Sequence, residues 1–262
     1  MHTCRNRQCM LATFSGVKRA MSLKTVPQAF QSTMQKYGDR VAMRKKDLGL
    51  WHDISWNEYY RLVCCVGSAL ITMGLDKGQC ASIIGDNCPE WVIIDMGIQF
   101  AGGVAVGVYS TNAWPQVEYV VQNSESKFLF VENEEQLDKW LNFRDKVPLL
   151  EKVIVWDLEG LRHFKDPMVI TYQELLETGR GIMERNPDII EKRINEITLD
   201  DLSVLIYTSG TTGPPKGAML THRNVIWMGE TIAKDNKVYD TDEVLSFLPL
   251  CHIFERLFSV FA

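Results

Sequence analysis

Short apolar runs that alternate with segments of helical period constrain this chain more than any other feature. "CASIIG" (80–85), "GVAVGVY" (103–109), "KFLFVE" (127–132), "KVIVWD" (152–157) and "LSVLIY" (202–207) each read as a strand buried on both faces. Between them lie helical stretches: one opened by Asn87-Cys-Pro-Glu90 and carrying Trp91, Ile94, Ile98 and Ala101, then Pro115 to Gln122 and Glu134 to Leu141. Strand, helix, strand repeated in this way predicts an α/β fold of βαβ layers, a largely parallel sheet with helices on both faces.

Punctuation residues mark the rest. Thr25-Val-Pro-Gln28 is a capping box opening a helix to about Tyr37, and Ser55-Trp-Asn-Glu58 opens another that Gly74 closes. Asp47-Leu48-Gly49 separates two strand-like runs, which predicts a hairpin. Thr171-Tyr-Gln-Glu174 caps a short helix, Pro187 to Ile197 forms a further one, and Thr221 caps a helix to about Lys234. "VLSFLPL" (244–250) reads as the last strand.

A net charge of −5 supplies no general basic field, which disfavours nucleic acid as a partner. The seven cysteines are scattered with no CxxC pair, and the five histidines are dispersed, so the pattern is one of reduced thiols rather than a metal site. The longest uncharged run, Met96 to Val117, holds Gln99, Ser110, Thr111, Asn112, Pro115, Gln116 and four glycines, and reads as helix, turn and strand rather than a membrane span. Residues 1–24 are basic and free of acidic residues, with Arg5, Arg7, Lys18, Arg19 and Lys24. That composition resembles a mitochondrial transit peptide; the plainer reading is an unstructured start with Met21 as the true beginning.

"YTSGTTGPPKG" (207–217) follows directly on a strand. Ligands of open α/β sheets bind beyond the carboxyl ends of strands. Gly210 and Gly213 let consecutive N–H groups turn toward one anion, and Thr208, Ser209, Thr211 and Thr212 add hydroxyl donors. Pro214 and Pro215 stiffen the exit, and Lys216 brings a mobile positive charge suited to terminal phosphates. The pattern is not a Walker loop: counted from Gly210, the second glycine position holds Pro215, and Lys216 is followed by Gly217 instead of Ser or Thr. Kinase and GTPase chemistry is therefore disfavoured. A flexible Gly/Thr turn is the plain structural alternative.

The same motif resembles the signature loop of adenylate-forming enzymes, the superfamily of acyl-CoA synthetases, luciferases and peptide synthetases. "YGDRVAMRKKDLGLWHDISWNEYY", "GDNCPEWVIIDMGIQFAGGVAVGVYSTN" and "FLPLCHIFER" resemble its long-chain fatty acyl-CoA synthetase branch, nearest to bubblegum-type and bacterial ligases. The resemblance runs from about Thr25 to Ala262 and implies a partial AMP-binding N-terminal domain over 25–262. It implies that Thr208, Ser209, Gly210, Thr211, Thr212, Gly213 and Lys216 hold the β- and γ-phosphates of ATP. It implies that His252 stands near the substrate carboxylate, where an imidazole donates a hydrogen bond to the carboxylate or to an α-phosphate oxygen. Read without the family, His252 is a capped core histidine after a strand. Glu255 and Arg256 read as helix-start and packing residues, and Trp227 and Met228 as core packing in preference to an acyl tunnel.

The implied substrates are a fatty acid, ATP with Mg2+, and coenzyme A. The implied reaction is acyl-AMP formation with release of pyrophosphate, followed by thioester formation with release of AMP. Later family motifs do not occur in these residues: Tyr37-Gly38 is followed by Asp39 and Thr178-Gly179 by Arg180; the expectation from the resemblance is that the small C-terminal domain is absent. The expectation is a ligase fragment that binds ATP weakly and does not adenylate alone, cytoplasmic or peripheral to a membrane. A non-catalytic binding or regulatory product, and a ligase for another carboxylate such as an aryl acid, are the alternatives.

Overall fold

The computed structural model describes residues 24–208 and 214–261. Residues 1–23 of the basic segment lie outside the described residues, as do Ser209, Gly210, Thr211, Thr212 and Gly213 of the loop. Helix α1 (Val26–Tyr37) starts at the Thr25 capping box, where the Thr25 N–H donates to Gln28 Oε1 at 3.0 Å. An antiparallel hairpin comes next, β1 (Val41–Asp47) and β2 (Leu50–Ser55), turning at Leu48-Gly49 as expected. Ser55 then caps α2 (Trp56–Thr72), its Oγ accepting from the Glu58 N–H at 3.2 Å.

The predicted alternation is β3 (Cys80–Ile84), α3 (Pro89–Phe100), β4 (Val104–Val108), α4 (Trp114–Asn123), β5 (Phe128–Val131), α5 (Glu134–Leu141) and β6 (Lys152–Val155). A short strand that the sequence reading does not anticipate, β7 (Val169–Thr171), leads into α6 (Tyr172–Arg185) through the Thr171–Glu174 capping box. Then come α7 (Ile189–Glu196), β8 (Leu202–Thr208), β9 (Lys216–Thr221), α8 (His222–Asp235) and α9 (Ile253–Phe261). Among the described residues the main sheet has the order β7-β6-β5-β3-β4-β8-β9, parallel throughout except for β9, which runs antiparallel to β8.

The order fixes which face each helix covers. Right-handed crossovers put connections of opposite sense on opposite faces. The steps from β3 to β4 and from β7 to β8 run one way, and their helices α3, α6 and α7 pack on one face with α1, α2, α8 and α9. The steps from β4 to β5 and from β5 to β6 run the other way and place α4 and α5 on the second face. Alternate residues serve the two layers: Ala105 faces the first, Val104, Val106 and Val108 the second. The outgoing chains of β3 and β4 thus diverge, and a crevice forms at their carboxyl ends.

Three local expectations are corrected. Residues 244–250 form no strand: Pro249 lacks a ladder donor, Leu245 and Phe247 are exposed, and the side chain of Asn87 takes the backbone contacts a neighbouring strand would take. Asn87 therefore does not cap α3; that position belongs to Cys88, which makes no side-chain cap bond. Trp227 is not core: it is 64% exposed on α8, whereas Met228 packs partly against the core.

Among the described residues the buried histidine is His222, at the start of α8, 1% exposed and accepting the Val26 N–H at Nδ1, 3.4 Å away. Burial lowers its pKa to about 4, against a weaker opposing pull from Asp201. An unfolded histidine titrates near 6.5, so its stabilising neutrality is complete above that value and is lost as pH falls toward the folded pKa. Between about pH 7 and about pH 5, His222 should cost roughly 2 kcal/mol of stability. Urea midpoints compared at those two pH values should converge in His222→Gln.

Candidate functional site at the carboxyl edge of the sheet

The glycine- and threonine-rich motif does not connect a strand to a helix. Its two described ends belong to one antiparallel hairpin, with Thr208 closing β8 and Lys216 opening β9, and these two residues are paired in register. Lys216 is thereby held opposite Thr208 at the carboxyl end of the parallel strands, with its side chain exposed. A donor-rich stretch that leaves from one of two paired positions and returns to the other is suited to wrap an anion.

Helix α4 secures the return path. Tyr119 Oη donates to the carbonyl of Pro215 at 2.9 Å, and Tyr207 Oη donates to Asn123 Oδ1 at 2.8 Å. The two rings meet edge to face with centroids 6.4 Å apart. Burial pushes the Tyr207 phenol up to about 12, so it stays a donor at neutral pH. The sequence assigns Tyr119 no role; its spacing on α4 marks only a helix face, and its link to Pro215 depends on where β9 lies.

The edge also gathers polar groups from the ends of β3, β4 and β5. Ser110 Oγ donates to Asp86 Oδ1 at 2.6 Å, and the Asp86 N–H donates to Glu132 Oε2 at 2.8 Å. Partial burial raises the Glu132 carboxyl pKa above its ordinary value, against that N–H. Among the described residues no cluster of three or more His, Cys, Asp or Glu could hold a metal ion.

His252 stands at the same edge and is exposed, so it is not the buried core histidine that a family-free reading offers. Its ring meets Tyr109, just beyond β4, edge to face with centroids 6.1 Å apart. The β4–β8 ladder pairs Gly107 with Ile206, which leaves Tyr109 and Thr208 as the residues two positions further along each strand direction. His252 and the start of the loop are therefore brought to one sheet edge. Its neighbour Cys251 approaches β4 so closely that a Cβ on Gly107 would lie 2.6 Å from the Cys251 Cα. Only glycine at 107 admits the chain there.

Glu255 and Arg256 are buried at 3% each, in keeping with a packing role. The partner of Arg256 is Asp95 on α3, which no spacing in the sequence indicates. Among the described residues the thiols offer no activated nucleophile: burial pushes Cys64 and Cys88 up to about 12, Cys80 and Cys251 up to about 11, and raises Cys65 as well.

Comparison with known proteins agrees with this geometry. The family model described as AMP-binding enzyme matches residues 30–262. Over 240 residues the chain is 38% identical to the long-chain-fatty-acid–CoA ligase ACSBG2 of Xenopus laevis, covering 90% of this chain and 32% of that protein. Against the ACSBG2 ligase of Homo sapiens it is 32% identical over 260 residues, covering 98% of this chain and 38% of that one. The chain thus spans about a third of the length of these curated relatives. The crystal structure of a long-chain-fatty-acid-CoA ligase, FadD1, from Archaeoglobus fulgidus shares the fold, with a TM-score of 0.74 over 91% of this chain and 45% of that chain at 17% identity. No helix among the described residues is long and apolar enough to cross a membrane.

Proposed function

Because this chain belongs to the AMP-binding enzyme family, we propose that it carries the nucleotide-phosphate side of a long-chain fatty acid–CoA ligase. The observation that supports this most is the pairing of Thr208 with Lys216 at the carboxyl edge of the sheet where His252 also stands. In the first step a fatty carboxylate oxygen attacks the α-phosphorus of ATP; the new O–P bond forms as the bond to the β-phosphate bridging oxygen breaks, and pyrophosphate leaves. In the second step the coenzyme A thiol adds at the acyl carbon, loses its proton, and AMP departs.

The side chains have separate tasks in this scheme. Lys216 and the hydroxyls from Thr208 onward neutralise and hold the departing pyrophosphate, so their work is positioning and charge stabilisation. His252, exposed at the edge, donates a hydrogen bond to the carboxylate or to an α-phosphate oxygen. Magnesium and coenzyme A belong to the same proposal as substrates or their companions.

Binding is the measurement suited to a chain that spans about a third of its relatives. Lys216→Ala should weaken ATP and pyrophosphate binding roughly 10- to 100-fold, the loss of one charged hydrogen bond, and leave AMP binding unchanged. Calorimetric titration of the three ligands checks it. Equal losses for AMP and ATP, or no loss for either, would remove Lys216 from the β- and γ-phosphates.

A further inference from the structure

We propose that Asn87 is a positioning residue for His252. Its amide grips alternate residues of the 244–250 segment: Nδ2 donates to Ser246 Oγ and to the Leu248 carbonyl, each at 2.8 Å, and Oδ1 accepts the Leu250 N–H at 3.3 Å. Contacts to positions 246, 248 and 250 are the spacing a neighbouring strand would use. One side chain at the carboxyl end of β3 thus replaces a ladder that Pro249 interrupts.

The residues after the gripped segment have little freedom. Cys251 lies on the Cβ-free surface of Gly107, the His252 N–H donates back to the Pro249 carbonyl at 2.9 Å, and the His252 carbonyl accepts the Arg256 N–H at 3.3 Å. Arg256 is tied in turn to Asp95 on α3. His252 is therefore held from behind by Asn87, from beneath by β4 and from ahead by α9, and its ring comes to rest against Tyr109. Of these three supports, Asn87 is the one that acts through side-chain hydrogen bonds to the segment, and its three bonds fix the height of the segment along β3. The chemical consequence for His252 rests on the proposed ligase reaction; the placement itself does not.

The test uses the chain labelled at its histidine rings, with the His252 resonance assigned by its loss in His252→Gln. In the wild type that resonance should be displaced by the Tyr109 ring, and Tyr109→Leu defines its undisplaced position. Asn87→Ala and Asn87→Asp should both move His252 toward the Tyr109→Leu position; the aspartate keeps an acceptor for Leu250 but lacks both donors. His222, buried and held by α1, should stay where it is in both variants. On adding ATP, the wild-type His252 resonance should shift, and Asn87→Ala should bind ATP within about twofold of wild type while losing that response. Unchanged His252 positions in both variants overturn the proposal. Concerted movement of His222 and His252 overturns it too, because Asn87 is then a residue of general stability. Absence of any ATP response in the wild type counts against the ligase reading alone, since the ring displacement decides the placement without nucleotide.

Discussion

Asp95→Ala is expected to lower folding stability by about 3–5 kcal/mol, the cost of leaving its buried cationic partner unpaired. Asp95 and Arg256 are each 3% exposed in their side chains. Arg256 Nε donates to Asp95 Oδ2 at 3.2 Å, a second guanidinium nitrogen contacts Oδ1, and the guanidinium lies 5.3 Å from the centre of the Trp91 ring. The carboxylate also meets Gln99, which accepts from Ser203 Oγ on β8 at 2.6 Å. Beside this network is a cavity of about 10 Å3 lined by Asp95, Gln99, Ser203 and Arg256, about the space of one water.

Removing the carboxylate alone leaves a desolvated cation with nowhere to turn, and α9 must pull away from α3 to hydrate it. Removing both charges is a different matter. Asp95→Leu combined with Arg256→Met should recover most of the loss, since apolar replacements of a buried pair are close to neutral. Urea unfolding followed by tryptophan fluorescence measures both, with Trp91 inside the affected region. A loss below about 1 kcal/mol for Asp95→Ala would mean that α9 is held by its apolar face and not by this pair.

The second large effect is expected at Gly179, where α6 crosses α2. A Cβ there would lie 1.9 Å from the backbone oxygen of Cys65 and 2.6 Å from its carbonyl carbon. Backbone inside a helix cannot swing aside as a side-chain tip can, so Gly179→Ala has to separate the two helices. About 3 kcal/mol of destabilisation is expected, at the upper end for overpacking. Gly181, two residues along the same helix, supplies the contrast. The nearest atom to its added Cβ is the far end of Arg185 at 4.0 Å, so Gly181→Ala should stabilise by about 0.5–1 kcal/mol through helix propensity. Opposite signs from chemically identical changes on one helix, read from denaturation midpoints, would establish the close approach. Two stabilising results would remove it.

Much of the fold was legible because its signals are local. The capping boxes at Thr25 and Thr171, the Leu48-Gly49 turn and the five buried strand runs each lie within a few residues, and each appears where its pattern places it. The motif at 207–217 is local in the same way and suggests an anion loop by composition alone. Its setting was not legible: prolines 214 and 215 read as a stiff exit, whereas Lys216–Thr221 is an edge strand whose register with β8 sets the lysine opposite Thr208. The apolar run at 244–250 shows the converse error, a strand-like composition held by the side chain of Asn87 in place of a ladder.

The amino-acid sequence by itself determined most of the elements and the parallel sense of the sheet's central strands. Those depend on short-range sterics and on periodicities a few residues long. Only the tertiary structure decided that Asn87 would hold Leu250, that Asp95 would meet Arg256, and that Tyr119 would reach Pro215. The first two of these pairs are separated by more than 160 residues, and the third by 96. Such meetings are set by strand order, and strand order is a property of the whole packed sheet that no local stretch of the chain contains.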